Sequence, residues 1–148
     1  MLQSEILKNP RIIVIQKLYG YYLNQDSKIT FPKHRYKKFI KDVVNGTIER
    51  KELIQDFINK ELKNDINDNK TELMIKLMIM AAIYEFMFMH KTPVKVVINE
   101  YLKVSDFFTE SNQKSFLNAI LDKASRFSRV ENVWWDNFSL KNHIFTQL

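Results

Sequence analysis

The sequence predicts an all-α fold, and three observations support that prediction. The 148 residues include only two glycines and three prolines, too few for the many tight turns that a β-sandwich or barrel requires. Apolar residues recur at three- and four-residue steps along most of the chain, which is the period of an amphipathic helix. The composition, 45% hydrophobic and 27% charged, is ordinary for a folded domain. We expect one domain, or two small helical halves that share one core.

The first helix is predicted to begin at Asn9-Pro10 and to run to about Leu23. Asn can accept a backbone N–H at the N-cap, and Pro at the first helical position loses no hydrogen bond. The apolar residues that mark its buried face are Ile12, Ile15, Leu18, Tyr19 and Tyr22. Residues 24–33 follow as a loop that closes on Phe31-Pro32.

A long helical pattern occupies about residues 34–63 and contains Gly46. A glycine inside a helix costs about 1 kcal/mol relative to alanine. Gly46 therefore either permits a close contact with another helix or marks a bend. The polar stretch 64–69 ends the pattern.

Residues 70–89 form the most apolar segment and are predicted to be the central helix. The segment carries Lys76 and Glu85, and its apolar run is about one turn short of a bilayer span. It is therefore read as a buried helix, with its five methionines as adaptable core filler.

Two further helices are predicted, and an aromatic tail follows them. Thr92-Pro93 repeats the capping pattern and begins a helix to about Phe107, while Asn112 is a plausible N-cap for a helix over 113–128. The tail, residues 131–148, contains Trp134-Trp135, and we expect it to pack on the body of the protein or on a partner.

The positive charge is concentrated at the N-terminal end of the chain. Residues 1–41 hold nine Lys and Arg against two acidic residues, a net +7, whereas residues 42–85 sum to −3 and residues 86–148 to +2. Such an asymmetry suits a polyanionic partner. The alternative is a solvated helix face.

No residue pattern indicates catalysis, a metal or a cofactor. The chain has no cysteine, and His34, His90 and His143 lack the spacing of a metal-binding pair. Glycine-rich phosphate loops and nucleophile elbows are absent. No secretory signal is visible near the N-terminus. We therefore expect a non-enzymatic, cytoplasmic protein without a membrane segment.

Four sequence blocks, at residues 16–19, 43–46, 82–85 and 92–124, carry a resemblance to the NusB family that covers about residues 9–128. Gln16-Lys-Leu-Tyr19 is similar to the family's first-helix motif, Ala82-Ile-Tyr-Glu85 to its central motif, and Val43-Val-Asn-Gly46 to a weaker one. The most specific block holds Ile-Asn-Glu and Phe-Leu-Asn…Leu-Asp-Lys at one spacing. Its matching positions are Pro93, Val96, Ile98, Asn99, Glu100, Phe108, Phe116, Asn118, Leu121, Asp122 and Lys123.

The resemblance implies a NusB-like helical bundle of two antiparallel helical subdomains. Within a domain of residues 1–130, the halves would be 1–63 and 64–130. It also implies a transcription antitermination factor that performs no reaction. Such a factor binds boxA-type single-stranded RNA of ribosomal RNA transcripts beside the ribosomal protein NusE, within the RNA polymerase antitermination complex.

The resemblance further suggests particular site residues. Lys8 and Arg11 fall where the family has an arginine-rich start, although the arginine run is reduced here. The RNA-binding candidates are Lys8, Arg11, Phe116, Lys123 and Arg126, and the partner-binding candidates are Tyr19, Tyr84 and Glu85. The simpler alternative makes the aromatic candidates core residues.

A rival function is a protein-interaction module or homodimer of the same fold with weak or lost RNA binding. The reduced number of arginines at the N-terminal end and the aromatic tail favour this rival.

Overall fold

Seven α-helices and no strand are found in the computed structural model, which describes residues 3–67, 71–110 and 112–129. The prediction of an all-α fold is confirmed. The helices are α1 (Gln3–Lys8), α2 (Pro10–Leu23), α3 (Lys37–Glu49), α4 (Lys51–Glu61), α5 (Leu73–Phe88), α6 (Val94–Phe108) and α7 (Asn112–Arg129).

Helix α2 begins and ends where the sequence predicts. The Asn9 side-chain oxygen accepts the backbone N–H groups of Arg11 at 3.0 Å and Ile12 at 3.4 Å, and Pro10 occupies the first helical position. Helix α1 was not predicted, because six residues are too few to display a helical period. The loop after α2 is longer than expected and continues to Tyr36.

The predicted long helix over 34–63 is wrong in one respect: it is two helices, α3 and α4, that meet at Arg50. No glycine or proline stands at that position to signal the break. Gly46 lies four residues earlier, and a Cβ there would overlap the ring of Tyr84 on α5. The close-contact interpretation of Gly46 is therefore confirmed.

Helix α5 is the central element, as predicted. It packs on α2, α3, α4, α6 and α7, and it is buried on nearly every side. Met78, Met80 and Met87 lie in the core, while Met74 and Met89 are half-buried against it. No helix among the described residues is both long and apolar enough to cross a membrane.

Helices α6 and α7 close the core against α5 and against each other. Thr92 is not the N-cap of α6; that position belongs to Pro93, which makes no side-chain capping bond. Val96, one of the positions that match the family block, is 43% exposed. Asn112 is the first residue of α7.

A single hydrophobic core extends from Ile12 on α2 to Ala124 on α7. Because α5 packs on helices from both predicted halves, the division at residue 63 stays a prediction. The predicted aromatic tail, 131–148, lies outside the described residues.

Candidate nucleic-acid interface

Lys8 is the last residue of α1, and its side chain is exposed. Its position follows from the local sequence, because α1 ends where Asn9 and Pro10 begin α2. A cation at a helix C-terminus is also favoured by the helix dipole. Lys8 can therefore meet a phosphate without breaking any contact that the structure describes.

Arg11 lies three residues further along but points into the protein. Its Nε and Nη2 donate to the Glu85 carboxylate on α5, at 3.0 and 2.6 Å. Its guanidinium carbon also lies 4.7 Å from the ring centroid of Phe39. Arg11 is 8% exposed and Glu85 is fully buried. A phosphate or a protein partner could reach either group only if this pair opened.

Tyr101 on α6 completes the buried network. Its hydroxyl donates a hydrogen bond to the Glu85 carboxylate at 2.5 Å. The carboxylate therefore accepts hydrogen bonds from Arg11 on α2 and from Tyr101 on α6. Burial raises the pKa of Tyr101 well above its usual value, and the negative charge of Glu85 adds to the shift. For Arg11, burial opposes the charged form, but the hydrogen bond and charge of Glu85 outweigh it, so the pKa of Arg11 is raised. Tyr101 stays neutral and Arg11 stays charged.

The candidates on α7 lie on or near the surface. Phe116 is half-buried and packs on the edge of the core. Lys123 is seven residues later and so shares its helix face; its ammonium donates to Asp65 at 2.7 Å. Arg126 pairs with Asp122, one turn earlier, at 3.3 Å. The Arg126–Asp122 pair is exposed and the Lys123–Asp65 pair is about one-third exposed. Because ion pairs in contact with solvent are worth about 0–1 kcal/mol, both cations can exchange a carboxylate for a phosphate.

Tyr84, a partner-binding candidate, lies on the wall of a groove at the end of α5. Its ring stacks on Phe88, one turn later, with centroids 5.2 Å apart. The groove has a volume of about 590 Å³. Its lining residues are Asp42, Tyr84, Met87, Phe88, Met89, His90, Lys91 and Thr92.

The other two partner-binding candidates are placed differently. Glu85 is adjacent to Tyr84 in sequence but faces the core, where it binds Arg11 and Tyr101. Tyr19 is half-buried and packs against the core from α2. Of the three candidates, Tyr84 therefore lines the groove at the end of α5.

Sequence reasoning missed the residues that surround Tyr84. Phe88 follows Tyr84 by four residues, a spacing that places both on one helix face, so this neighbour could have been found. Arg50, whose guanidinium carbon lies 4.6 Å from the Phe88 ring centroid, could not, because only the fold brings the end of α3 to α5.

Arg129 at the end of α7 was also missed. Its guanidinium donates to the carbonyl oxygens of Phe86 at 3.0 Å, Glu85 at 3.2 Å and Met89 at 3.0 Å. These carbonyls belong to the last turn of α5 and to its C-cap residue, Met89, a region where backbone carbonyls begin to lack N–H partners within the helix. Arg129 therefore caps the end of α5 beside the groove. Among the described residues, no group of three or more metal-ligating side chains occurs.

Comparison with known proteins places the chain beside one family. A family model described as the NusB family matches residues 3–126. A transcription antitermination protein NusB of Rickettsia bellii (strain OSU 85-389) is 28% identical over 116 residues, which cover 74% of this chain and 72% of the relative. The protein of the same name from Mesorhizobium japonicum is 27% identical over 94 residues, covering 64% and 61%.

A solved structure of NusB from T. maritima has a similar fold. It matches with a TM-score of 0.71 at 20% sequence identity, and the match covers 87% of this chain and 96% of that structure. At this identity the likeness concerns the fold alone.

Proposed function

The chain belongs to the NusB family, and from this premise we propose that it binds boxA-type single-stranded RNA of ribosomal RNA transcripts together with the ribosomal protein NusE. The general function, transcription antitermination, is the one for which its relatives are named. The observation that carries the proposal is the family match over residues 3–126. That range includes every candidate site residue, from Lys8 to Arg126.

The RNA surface that we propose consists of Lys8, Phe116, Lys123 and Arg126. Single-stranded RNA is held by cations on its phosphates and by flat side chains against its bases. Lys8 and Arg126 are exposed, and Lys123 and Phe116 are half-exposed on one face of α7. Arg11 acts indirectly, because its bond to Glu85 fixes the start of α2 on α5.

We assign the partner surface to the groove beside Tyr84, with Tyr19 as a further contact. The groove combines aromatic and methionine side chains with a few polar ones, a composition that suits a protein partner. Glu85 supports this surface from the core, since it holds the buried side of α5. The protein would act in the cytoplasm as an adaptor within the RNA polymerase antitermination complex, without catalysing a reaction.

The proposal is tested by titrating a labelled boxA-type RNA of about a dozen nucleotides, with and without NusE, over a series of salt concentrations. We expect an affinity that falls as salt rises, because phosphate contacts release counterions. Lys8→Ala should weaken binding and reduce the salt dependence. Lys95→Ala, which removes another exposed lysine, from α6, is the matched control. An RNA affinity that does not change with salt would contradict the proposal.

The rival function, a protein-interaction module or homodimer with weak or lost RNA binding, gains support from the same geometry. Of the two N-terminal cations in the candidate set, Arg11 is buried, and Lys123 and Arg126 already have carboxylate partners. If RNA binding is absent with and without NusE, this rival is favoured. Sedimentation of the protein over a range of concentrations would then decide between a homodimer and an adaptor for another protein.

A further inference from the structure

The strongest concentration of positive charge lies outside the candidate site. We call residues 28–41 the basic segment; it covers the second half of the loop after α2 and the first turns of α3. Its six cations, with no acidic residue among them, are Lys28, Lys33, Arg35, Lys37, Lys38 and Lys41. The segment therefore holds most of the positive charge of the N-terminal quarter of the chain.

All six cationic side chains of the basic segment are exposed. Within residues 3–67, 71–110 and 112–129, none of them forms an ion pair with a carboxylate. The α7 cations differ, because Lys123 and Arg126 are paired with Asp65 and Asp122. Unpaired like charges repel each other, and an anionic ligand relieves that repulsion.

A hydrogen-bonded histidine joins the basic segment to α1. The Tyr36 backbone N–H donates to Nδ1 of His34 at 2.9 Å. Since Nδ1 accepts, the neutral ring carries its proton on Nε2, and Nε2 donates to the Leu7 carbonyl oxygen at 2.9 Å. Leu7 directly precedes Lys8. The backbone next to Lys8 therefore lies in contact with the basic segment.

The basic segment also presents aromatic rings beside its cations. Tyr36 is 46% exposed, and the Arg35 guanidinium carbon lies 5.4 Å from its ring centroid. Lys41 lies 5.9 Å from the ring centroid of Phe31. An exposed ring between cations can stack on an unpaired base while the cations bind the flanking phosphates.

We propose that the basic segment binds the sugar-phosphate backbone of single-stranded RNA, and that Tyr36 stacks on a base. This surface continues from Lys8, and it supplies the phosphate contacts that the buried Arg11 cannot make. The inference rests on the proposed RNA function and extends it to residues that the family resemblance did not indicate. The alternative is that the cations of the basic segment are only hydrated and contact no RNA, and the experiment distinguishes the two.

The test compares two variants that lose the same charge. The first is K33Q/K37Q/K38Q in the basic segment. The second is K63Q/K95Q/K103Q, which removes three exposed lysines elsewhere. Binding of a fluorescein-labelled boxA-type RNA of about a dozen nucleotides is followed by anisotropy at several salt concentrations. Circular dichroism melts of both variants check that folding is intact.

The basic-segment variant should bind roughly tenfold to a hundredfold more weakly than the wild type at low salt. The slope of log affinity against log salt should become less steep by about 2, since each lost single-strand phosphate contact removes about 0.7 from its magnitude. The control variant should keep most of the affinity and slope. Tyr36→Ala should weaken binding by roughly tenfold with an unchanged slope, because stacking is not ionic.

Equal losses in the two charge variants would overturn the inference, since they would show a general charge effect. Wild-type affinity and slope in K33Q/K37Q/K38Q would also overturn it, while leaving the proposed RNA function standing through the other contacts. If the wild type itself binds no RNA, the proposed function and the inference fail together.

Discussion

Arg11 shows how the fold changes the meaning of a single residue. In the sequence it stands beside Lys8 at the start of a helix, where a cation is usually solvated. In the structure its guanidinium makes a bidentate hydrogen bond to the carboxylate of Glu85, a residue 74 positions away. Local sequence cannot reveal such a pair, because burial of Arg11 depends on α5 packing on α2. The exposure of Lys8, which has no such partner in the part of the chain that the structure describes, could be predicted.

Substitution of Arg11 should therefore affect folding before RNA binding. Arg11→Ala leaves the Glu85 carboxylate buried without its charge partner, and we expect the free energy of unfolding to fall by about 3–5 kcal/mol. Urea denaturation measures this loss. Lys8→Ala, which removes a neighbouring exposed cation, is the control and should change stability by less than about 0.5 kcal/mol. A stable Arg11→Ala protein with weakened RNA affinity would instead place Arg11 at the RNA.

Tyr101 makes the stability of the protein sensitive to alkaline pH. Its pKa is raised in the folded state, chiefly by burial, so the unfolded chain loses the phenolic proton first. The contribution of the Tyr101 proton to the free energy of unfolding is complete below about pH 10. It is lost as the pH rises further, at up to about 1.4 kcal/mol per pH unit.

Tyr101→Phe tests this linkage. At neutral pH the variant should be less stable by about 1–3 kcal/mol, because the Glu85 carboxylate loses a donor. Between about pH 10 and 11 the difference in free energy of unfolding between the wild type and the variant should become smaller. The wild type loses stability there, whereas the variant has no phenol at position 101 to titrate. Urea denaturation at several pH values measures both effects. A gap that stays constant with pH would mean that Tyr101 ionises equally in both states.

At the scale of elements, the sequence predicted what local chemistry determines. The start of α2 was predictable because the Asn9 cap and Pro10 are local signals, and α5 was predictable because its apolar character is continuous. The break at Arg50 was not, since α3 and α4 share one continuous helical pattern. The groove beside Tyr84 was likewise hidden, because it requires α3, which contributes Asp42, to pack beside the end of α5.

Gly46 on α3 links the packing of two elements to the groove. A Cβ at this position would overlap the Tyr84 ring, and this ring is half-exposed, so it can swing towards solvent. The helix gains about 1 kcal/mol from alanine in place of glycine, which offsets the lost packing. Gly46→Ala should therefore change the melting temperature little, while it displaces the Tyr84 ring and weakens NusE binding.

Calorimetric titration with NusE, together with the near-ultraviolet circular dichroism of the tyrosines, measures this effect. Asn45→Ala, at the neighbouring exposed position, is the control and should leave both signals unchanged. Unaltered NusE affinity in Gly46→Ala, combined with a shifted tyrosine signal, would remove Tyr84 from the partner surface.

At the scale of the whole molecule, the cationic surface and the groove differ in composition. The exposed cations are concentrated in the first 41 residues, around Lys8 and the basic segment. The groove at the end of α5 instead combines methionine and aromatic side chains with Asp42 and Lys91, which have opposite charges. The proposed ligands should therefore respond differently to salt, since only the RNA surface gains its affinity from counterion release.

The two binding reactions can be compared between about 50 and 200 mM salt. A strand that makes six phosphate contacts has a slope near −4, so RNA affinity should fall by roughly a hundredfold or more over this range. NusE affinity should change by less than about tenfold, because burial of apolar surface is not screened by salt. Titrations of each ligand alone measure the two slopes. An equally steep slope for NusE would show that the partner also binds the cationic surface, and the two ligands would then compete for it.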